Sequence, residues 1–200
     1  MDFTQFLTPE RFNKLKNVLD KRQSDITVVL ENIADPHNLS ACLRSCDATG
    51  INTVHLVYDG TQSFPQLSNT SSASAKKWVE VIKHESIENC YSMLKNEGFT
   101  ILTTAMSAES ISLYDIDFTR KIALVFGNEH TGVSEIALKL ADGNFLIPQV
   151  GMIQSLNISV ACAVSVYESF RQRNVAKLYE KPQLSEELIY EKLNKWAERK

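Results

Sequence analysis

Three short segments of this chain place polar side chains where they can do chemistry. The first, ENIADPHNLSACLRSCDATG over residues 31–50, puts Asn38 near a helix start and Arg44 six residues on. A guanidinium is a planar fork of donors suited to a phosphate or an oxyanion. A helix turns about 100° per residue, so Asn38 and Arg44 do not share a stripe, yet both can reach one loop region. The competing reading pairs Arg44 with Asp47 at i, i+3. The second segment, LVFGNEHTGVSE over residues 124–135, is a strand running into a polar turn flanked by Gly127 and Gly132. Glycine lets the backbone approach a ligand closely. The third, IPQVGMIQSLNISVA over residues 147–161, has Pro148 ending a strand, Gly151 freeing the backbone, and Gln154, Ser155 and Asn157 as polar groups in an apolar run. Ser155 is expected to cap the helix that follows. As structure alone, this is a capped helix of small residues.

Other chemistries lack support. Gly132 is followed by Val133, so the lysine of a phosphate-binding P-loop is missing, and no GxGxxG occurs. Neither a nucleoside triphosphate nor a dinucleotide has motif support. Cys42, Cys46, Cys90 and Cys162 read as buried free thiols, because no second close pair or paired histidines completes a zinc site. No metal is expected.

Hydrophobic residues make up 44% of the 200, enough for a real core. No apolar run approaches the roughly 20 residues needed to span a bilayer. The N-terminus has no signal-like apolar stretch. A soluble, cytoplasmic protein is therefore expected, with no membrane partner. The net charge of −3 argues mildly against nucleic acid as a partner. Two basic clusters offset it: Arg11, Lys14, Lys16, Lys21 and Arg22, then Arg171, Arg173, Lys177 and Lys181. Such clusters can touch phosphates, but charge alone reads first as a solvated helix face.

The positioning elements follow from apolar periodicity. Phe12, Leu15, Val18 and Leu19 recur at helical spacing, and Thr8-Pro9 makes a helix start. Short β-branched or apolar runs predict strands over residues 26–30, 53–57, 79–82, 100–104, 122–126 and 144–147. Asp35-Pro36 reads as a chain break before a helix over 39–49 that ends at Gly50. Further helices are predicted over 87–96, 134–140, 157–171 and 184–196, and residues 59–75 read as a long loop. Alternating strands and helices indicate an α/β domain with a mostly parallel sheet flanked by helices. Ligands of such folds gather beyond the carboxyl ends of the strands, where all three polar segments fall.

Taken in order, the three segments resemble the three motifs of the SpoU branch of the SPOUT methyltransferases. The likeness extends to KRQSDITVVLEN upstream and YESFRQR downstream, covering roughly residues 14–179. The resemblance implies a C-terminal trefoil knot, a homodimer and S-adenosyl-L-methionine as methyl donor, without a metal. It implies one domain over residues 1–200: an N-terminal helix over about 9–22, a catalytic core over about 25–173, and a C-terminal helix over about 184–198. The donor would lie against Thr104, Gly127, Asn128, Ile147, Gly151, Met152, Ser155 and Leu156, held largely by backbone. The family's catalytic arginine falls on Arg44, with Asn38, Glu129, Ser155 and Asn157 shaping the pocket. Ser155 would anchor the substrate phosphate beside Arg44. Asn157 would fix the third loop.

The implied reaction is 2′-O-methylation of a ribose in tRNA, with guanosine 18 of the D-loop as the expected target. Alternatives are ribosomal RNA, the tRNA wobble position, or a non-catalytic RNA-binding protein of the same fold. Ribosomal relatives tend to carry a separate N-terminal RNA-binding domain, and wobble enzymes tend to lack both terminal helices. The two predicted terminal helices therefore favour the D-loop target. The sequence departs from the tRNA enzymes at residues 69–76, which lack a glycine pair often found there.

Overall fold

The computed structural model describes residues 2–60, 64, 77–107, 109–153 and 155–198. Most of the predicted loop at 59–75, the whole of the departure at 69–76 from the tRNA enzymes, and Gln154 lie outside the described residues.

The strands are β1 (Ile26–Glu31), β2 (Thr53–Val57), β3 (Glu80–His84), β4 (Thr100–Thr104), β5 (Ile111–Ser112), β6 (Ile122–Phe126) and β7 (Gly143–Leu146). They form one sheet in the order β3-β2-β1-β6-β4-β7-β5. Every pairing is parallel. Parallel strands are covered on both faces, which explains the continuous apolar runs of β1 and β6. All six residues of β1 are buried. Edge strand β5 has two residues, too few to leave a periodic signal, and the sequence reading omits it.

The helices are α1 (Pro9–Leu19), α2 (Pro36–Ala48), α3 (Ile87–Asn96), α4 (Glu135–Leu140), α5 (Ile158–Val175) and α6 (Glu186–Ala197). Side chains alternate along each strand, so β1 feeds two cores. Ile26, Val28 and Leu30 pack with Leu39, Leu43 and Val166 of α2 and α5. Val29 packs on the other face with Tyr91, Leu94 and Ala137 of α3 and α4. A third cluster joins α1 to α6 through Leu15, Leu19, Ile189, Leu193 and Trp196.

Asp35-Pro36 starts α2 instead of merely breaking the chain. Asp35 caps it by accepting from His37 N at 2.8 Å, and Pro36 occupies the first turn, where a missing N–H costs nothing. The helix stops at Gly50, whose φ of +82° a side chain rarely tolerates; an added Cβ would also sit 2.8 Å from Lys21 O. All four cysteines are buried and free. Cys42 and Cys46 share one core with Cys162 at the α2–α5 contact.

Two arginines of the basic clusters are not surface groups. Arg22 and Arg173 are fully buried. Arg22 pairs with Asp47 and donates to Ile51 O at 3.0 Å and Trp78 O at 3.2 Å. Arg173 pairs with Asp25 and donates to Gln23 Oε1 at 3.0 Å and Phe118 O at 2.8 Å. A buried guanidinium is tolerated when a carboxylate and carbonyls meet most of its donors; among the described residues only Arg22 Nε lacks a partner, and neither arginine is exposed to touch a phosphate. They tie the terminal segments to the core.

Candidate active site

With every strand parallel, their carboxyl ends share one edge of the sheet. Four loops converge there: after β1, after β4, after β6 and after β7.

The loop after β6 is closed by its own backbone. Asn128 N donates to Gly132 O, and Gly132 N returns to Asn128 O, both at 2.9 Å. The Asn128 Oδ1 accepts from His130 N at 2.8 Å and Thr131 N at 3.2 Å, while its Nδ2 donates to Asn32 O at 2.7 Å. Asn128 therefore shapes the loop with its side chain. Gly127 is demanded by contact: a Cβ there would lie 2.1 Å from Gly132 C and Val133 N. The loop's far end is fixed by Glu31, a buried carboxylate that accepts from Ser134 N at 2.9 Å and Ser134 Oγ at 2.7 Å. Glu31 and Asn32 were not singled out in the sequence. Asn32 adopts φ +50° at the end of β1, a conformation asparagine accepts better than most residues.

Glu129 reaches across to the first motif. Its carboxylate accepts from Ala34 N at 3.0 Å, Asp35 N at 3.3 Å and Asn38 Nδ2 at 2.9 Å. Partial burial pushes the Glu129 carboxyl up, but the hydrogen bonds from Asn38 and the two backbone amides outweigh it, and the net shift is downward. Asn38 then accepts, through Oδ1, from Asn157 Nδ2 at 3.2 Å. Asn157 is also the cap of α5, accepting from Ser159 N at 2.9 Å. It is Asn157, two residues beyond the expected Ser155, that starts this helix. A cap residue accepts from the second or third helical amide, and Asn157 alone stands at that offset. One chain of side chains, Glu129–Asn38–Asn157, thus links the three segments.

Arg44 lies six residues beyond Asn38, about 9 Å along the helix. It is exposed and makes no hydrogen bond or ion pair among the described residues. The competing pairing with Asp47 is not made, because Asp47 is held by Arg22. Ser155 is exposed and makes no hydrogen bond to Arg44 among the described residues.

The remaining positions line the same edge. Thr104 ends β4 and donates to Val125 O at 3.1 Å. Ile147 packs against the main core. Gly151 and Met152 are exposed, as is Leu156, and residues 148–153 and 155–157 carry no helix or strand. Their main chain is open to a ligand, and Val150, Met152 and Ile153 project into solvent. This donor set suits a nucleoside held by backbone groups and apolar edges. Of the sequence-selected residues, Glu129, Asn38 and Asn157 are directly bonded, whereas Arg44 lies further along α2 from Asn38 and Ser155 precedes Asn157 in the third loop.

Residues 25–167 match the SpoU rRNA Methylase family, and the chain belongs to that family. Among its relatives is the tRNA (guanosine(18)-2'-O)-methyltransferase of Thermus thermophilus, 44% identical over 189 residues, covering 94% of this chain and 96% of the relative. The enzyme of the same name from Escherichia coli K12 is 39% identical over 173 residues, covering 86% and 75%. The crystal structure of the Aquifex aeolicus TrmH/SpoU tRNA modifying enzyme superposes with a TM-score of 0.87 at 38% identity, covering 94% of this chain and 95% of that one.

Proposed function

We propose that this chain transfers a methyl group from S-adenosyl-L-methionine to the ribose 2′-hydroxyl of guanosine 18 in the D-loop of tRNA. The observation that carries the reading is the hydrogen-bonded chain Glu129–Asn38–Asn157 beside an exposed, unpaired Arg44. Relatives named for this reaction match nearly the whole chain, which favours it over ribosomal or wobble-position targets.

The donor would lie along Thr104, Gly127, Asn128, Ile147, Gly151, Met152, Ser155 and Leu156. When bound it supplies an electrophilic methyl group. The residues of this chain do the rest. Arg44 hydrogen-bonds the attacking hydroxyl or the adjacent phosphate. A guanidinium is a poor base, so Arg44 orients the hydroxyl and stabilises charge, while the 2′-hydroxyl proton passes by way of the adjacent phosphate to solvent and S-adenosylhomocysteine would leave as the neutral thioether. Ser155 offers a hydroxyl to the same phosphate. Asn38, buttressed from both sides, holds the α2 amino end and the third loop in register. Glu129 stays ionised and anchors the loop after β1, so it orients instead of exchanging protons.

The reading includes a trefoil knot over the loops after β6 and β7, and a homodimer in the cytoplasm. Support for the dimer is apolar surface: Val150, Met152, Ile153, Val160 and Tyr167 are all at least 46% exposed on the third loop and α5. No helix among the described residues is long and apolar enough to cross a membrane.

Mapping 2′-O-methylation on unmodified tRNA transcripts, with enzyme and donor, tests the reading. Modification at guanosine 18, lost on an adenosine-18 transcript, is the expected result. Modification elsewhere, or calorimetric binding of ATP or NAD but not S-adenosylhomocysteine, would overturn it.

A further inference from the structure

A cluster of ligating side chains sits on the β2–β3 side of the sheet, among residues other than those placed in methyl transfer. His55 of β2 and His84 of β3 stack with ring centroids 5.2 Å apart. His55 Nδ1 lies 2.9 Å from His84 Nε2. Cys90, in the first turn of α3, joins them: the three ligating atoms lie within 4.8 Å of one another. His55 and Cys90 are buried, and His84 is half-buried. The residues are far apart in sequence, at 55, 84 and 90, so no spacing motif announces them. The parallel register Val57↔His84 brings them together.

The geometry points to a divalent transition-metal site of the zinc class at His55, His84 and Cys90. Two imidazole nitrogens and a thiolate select zinc or cobalt over magnesium or calcium, which prefer oxygen. With metal–nitrogen bonds of about 2.0–2.1 Å and a metal–sulfur bond of about 2.3 Å, tetrahedral ligands lie about 3.3–3.6 Å apart. The 2.9 Å nitrogen pair must open by a few tenths of an ångström and the widest separation must close. Both adjustments are within side-chain rotation. A cavity of about 200 Å³, lined also by Glu80, Met93 and Glu97, touches His55 but neither His84 nor Cys90. The Cys90 thiolate offsets one of the two added positive charges, the thiol proton passing to solvent. Bound metal would pin edge strand β3 to β2 and α3. The site uses none of the residues placed in methyl transfer, so it stands or falls independently.

The test is zinc competition against a chromophoric chelator on the full chain, with His84→Ala and Cys90→Ser as variants. Wild type should bind one zinc per chain, and each substitution should weaken binding at least tenfold. Zinc should also raise the melting temperature of wild type and not of the variants. The cobalt-loaded wild type should show a thiolate-to-cobalt charge-transfer band that Cys90→Ser lacks. Should His84→Ala fail to fold, the near-isosteric Cys90→Ser and its cobalt spectrum decide. Equal affinity in wild type and Cys90→Ser, or no stoichiometric zinc in wild type, would overturn the proposal and leave a hydrogen-bonded pair of neutral histidines.

Discussion

Asn38 donates to Glu129 at 2.9 Å and accepts from Asn157 at 3.2 Å, so one amide holds three loops in register. An amide is suited to this because it offers donors and an acceptor at once. Asn38→Ala should leave Glu129 and Asn157 without that link. The predicted cost is about 1–3 kcal/mol of stability. Methyl transfer should fall by a further factor of about ten to a hundred, since small misplacements of reacting groups are costly. Urea unfolding alongside kcat and KM for a tRNA transcript separates the two effects.

Asn38→Asp is the sharper probe. It keeps the shape but sets a carboxylate against that of Glu129, and like charges at hydrogen-bond distance repel. Activity should drop more than in Asn38→Ala at pH 8 and partly recover as the pH is lowered. A flat ratio of the two variants from pH 5 to 8 would contradict the ionised state assigned to Glu129.

The acid limb of stability carries the same signature. The folded Glu129 carboxyl titrates below its ordinary value of 4.5. Its contribution is therefore fully present well above 4.5 and is lost as the pH falls through the lowered folded value. Glu129→Gln should be less stable than wild type at pH 7, and the gap should narrow as the pH falls below 4.5, as read by urea midpoints.

Gly127→Ala should destabilise by about 3 kcal/mol or more, because a Cβ would overlap the Gly132–Val133 backbone at 2.1 Å, where no rotamer gives relief. The thermal midpoint of the whole chain is the readout. By contrast Gly151, with nothing within 4 Å of an added Cβ, should accept alanine at little cost to folding.

These contrasts show what the sequence made legible. The order of strands and helices was legible because apolar runs and caps report local structure. The three segments were legible because polar residues interrupted those runs. Burial of Arg22 and Arg173 was not, since their partners Asp47 and Asp25 are chosen by packing of distant segments. Ser155 was read as the α5 cap because both it and Asn157 are capping types, and only geometry separates them. Glu31 is not legible because a carboxylate at the end of an apolar strand gives no hint of the Ser134 amide and hydroxyl that donate to it.

Arg173→Ala follows from that burial. Removing it leaves Asp25 without its buried partner and should cost about 3–5 kcal/mol. Arg171→Ala removes a more exposed pair with Glu168 and should cost less than about 1 kcal/mol. If both arginines were phosphate contacts, the two variants would instead weaken tRNA binding alike with little change in melting.

The central claim rests on Arg44, an exposed guanidinium that the fold leaves unpaired beside a rigid hydrogen-bonded frame. The direct measurement is single-turnover methylation of an unmodified tRNA transcript by wild type and Arg44→Ala, with melting curves for both. The account predicts a rate loss of at least about a hundredfold, the scale seen when one transition-state donor is removed, at unchanged melting temperature. A rate within a few-fold of wild type would contradict it.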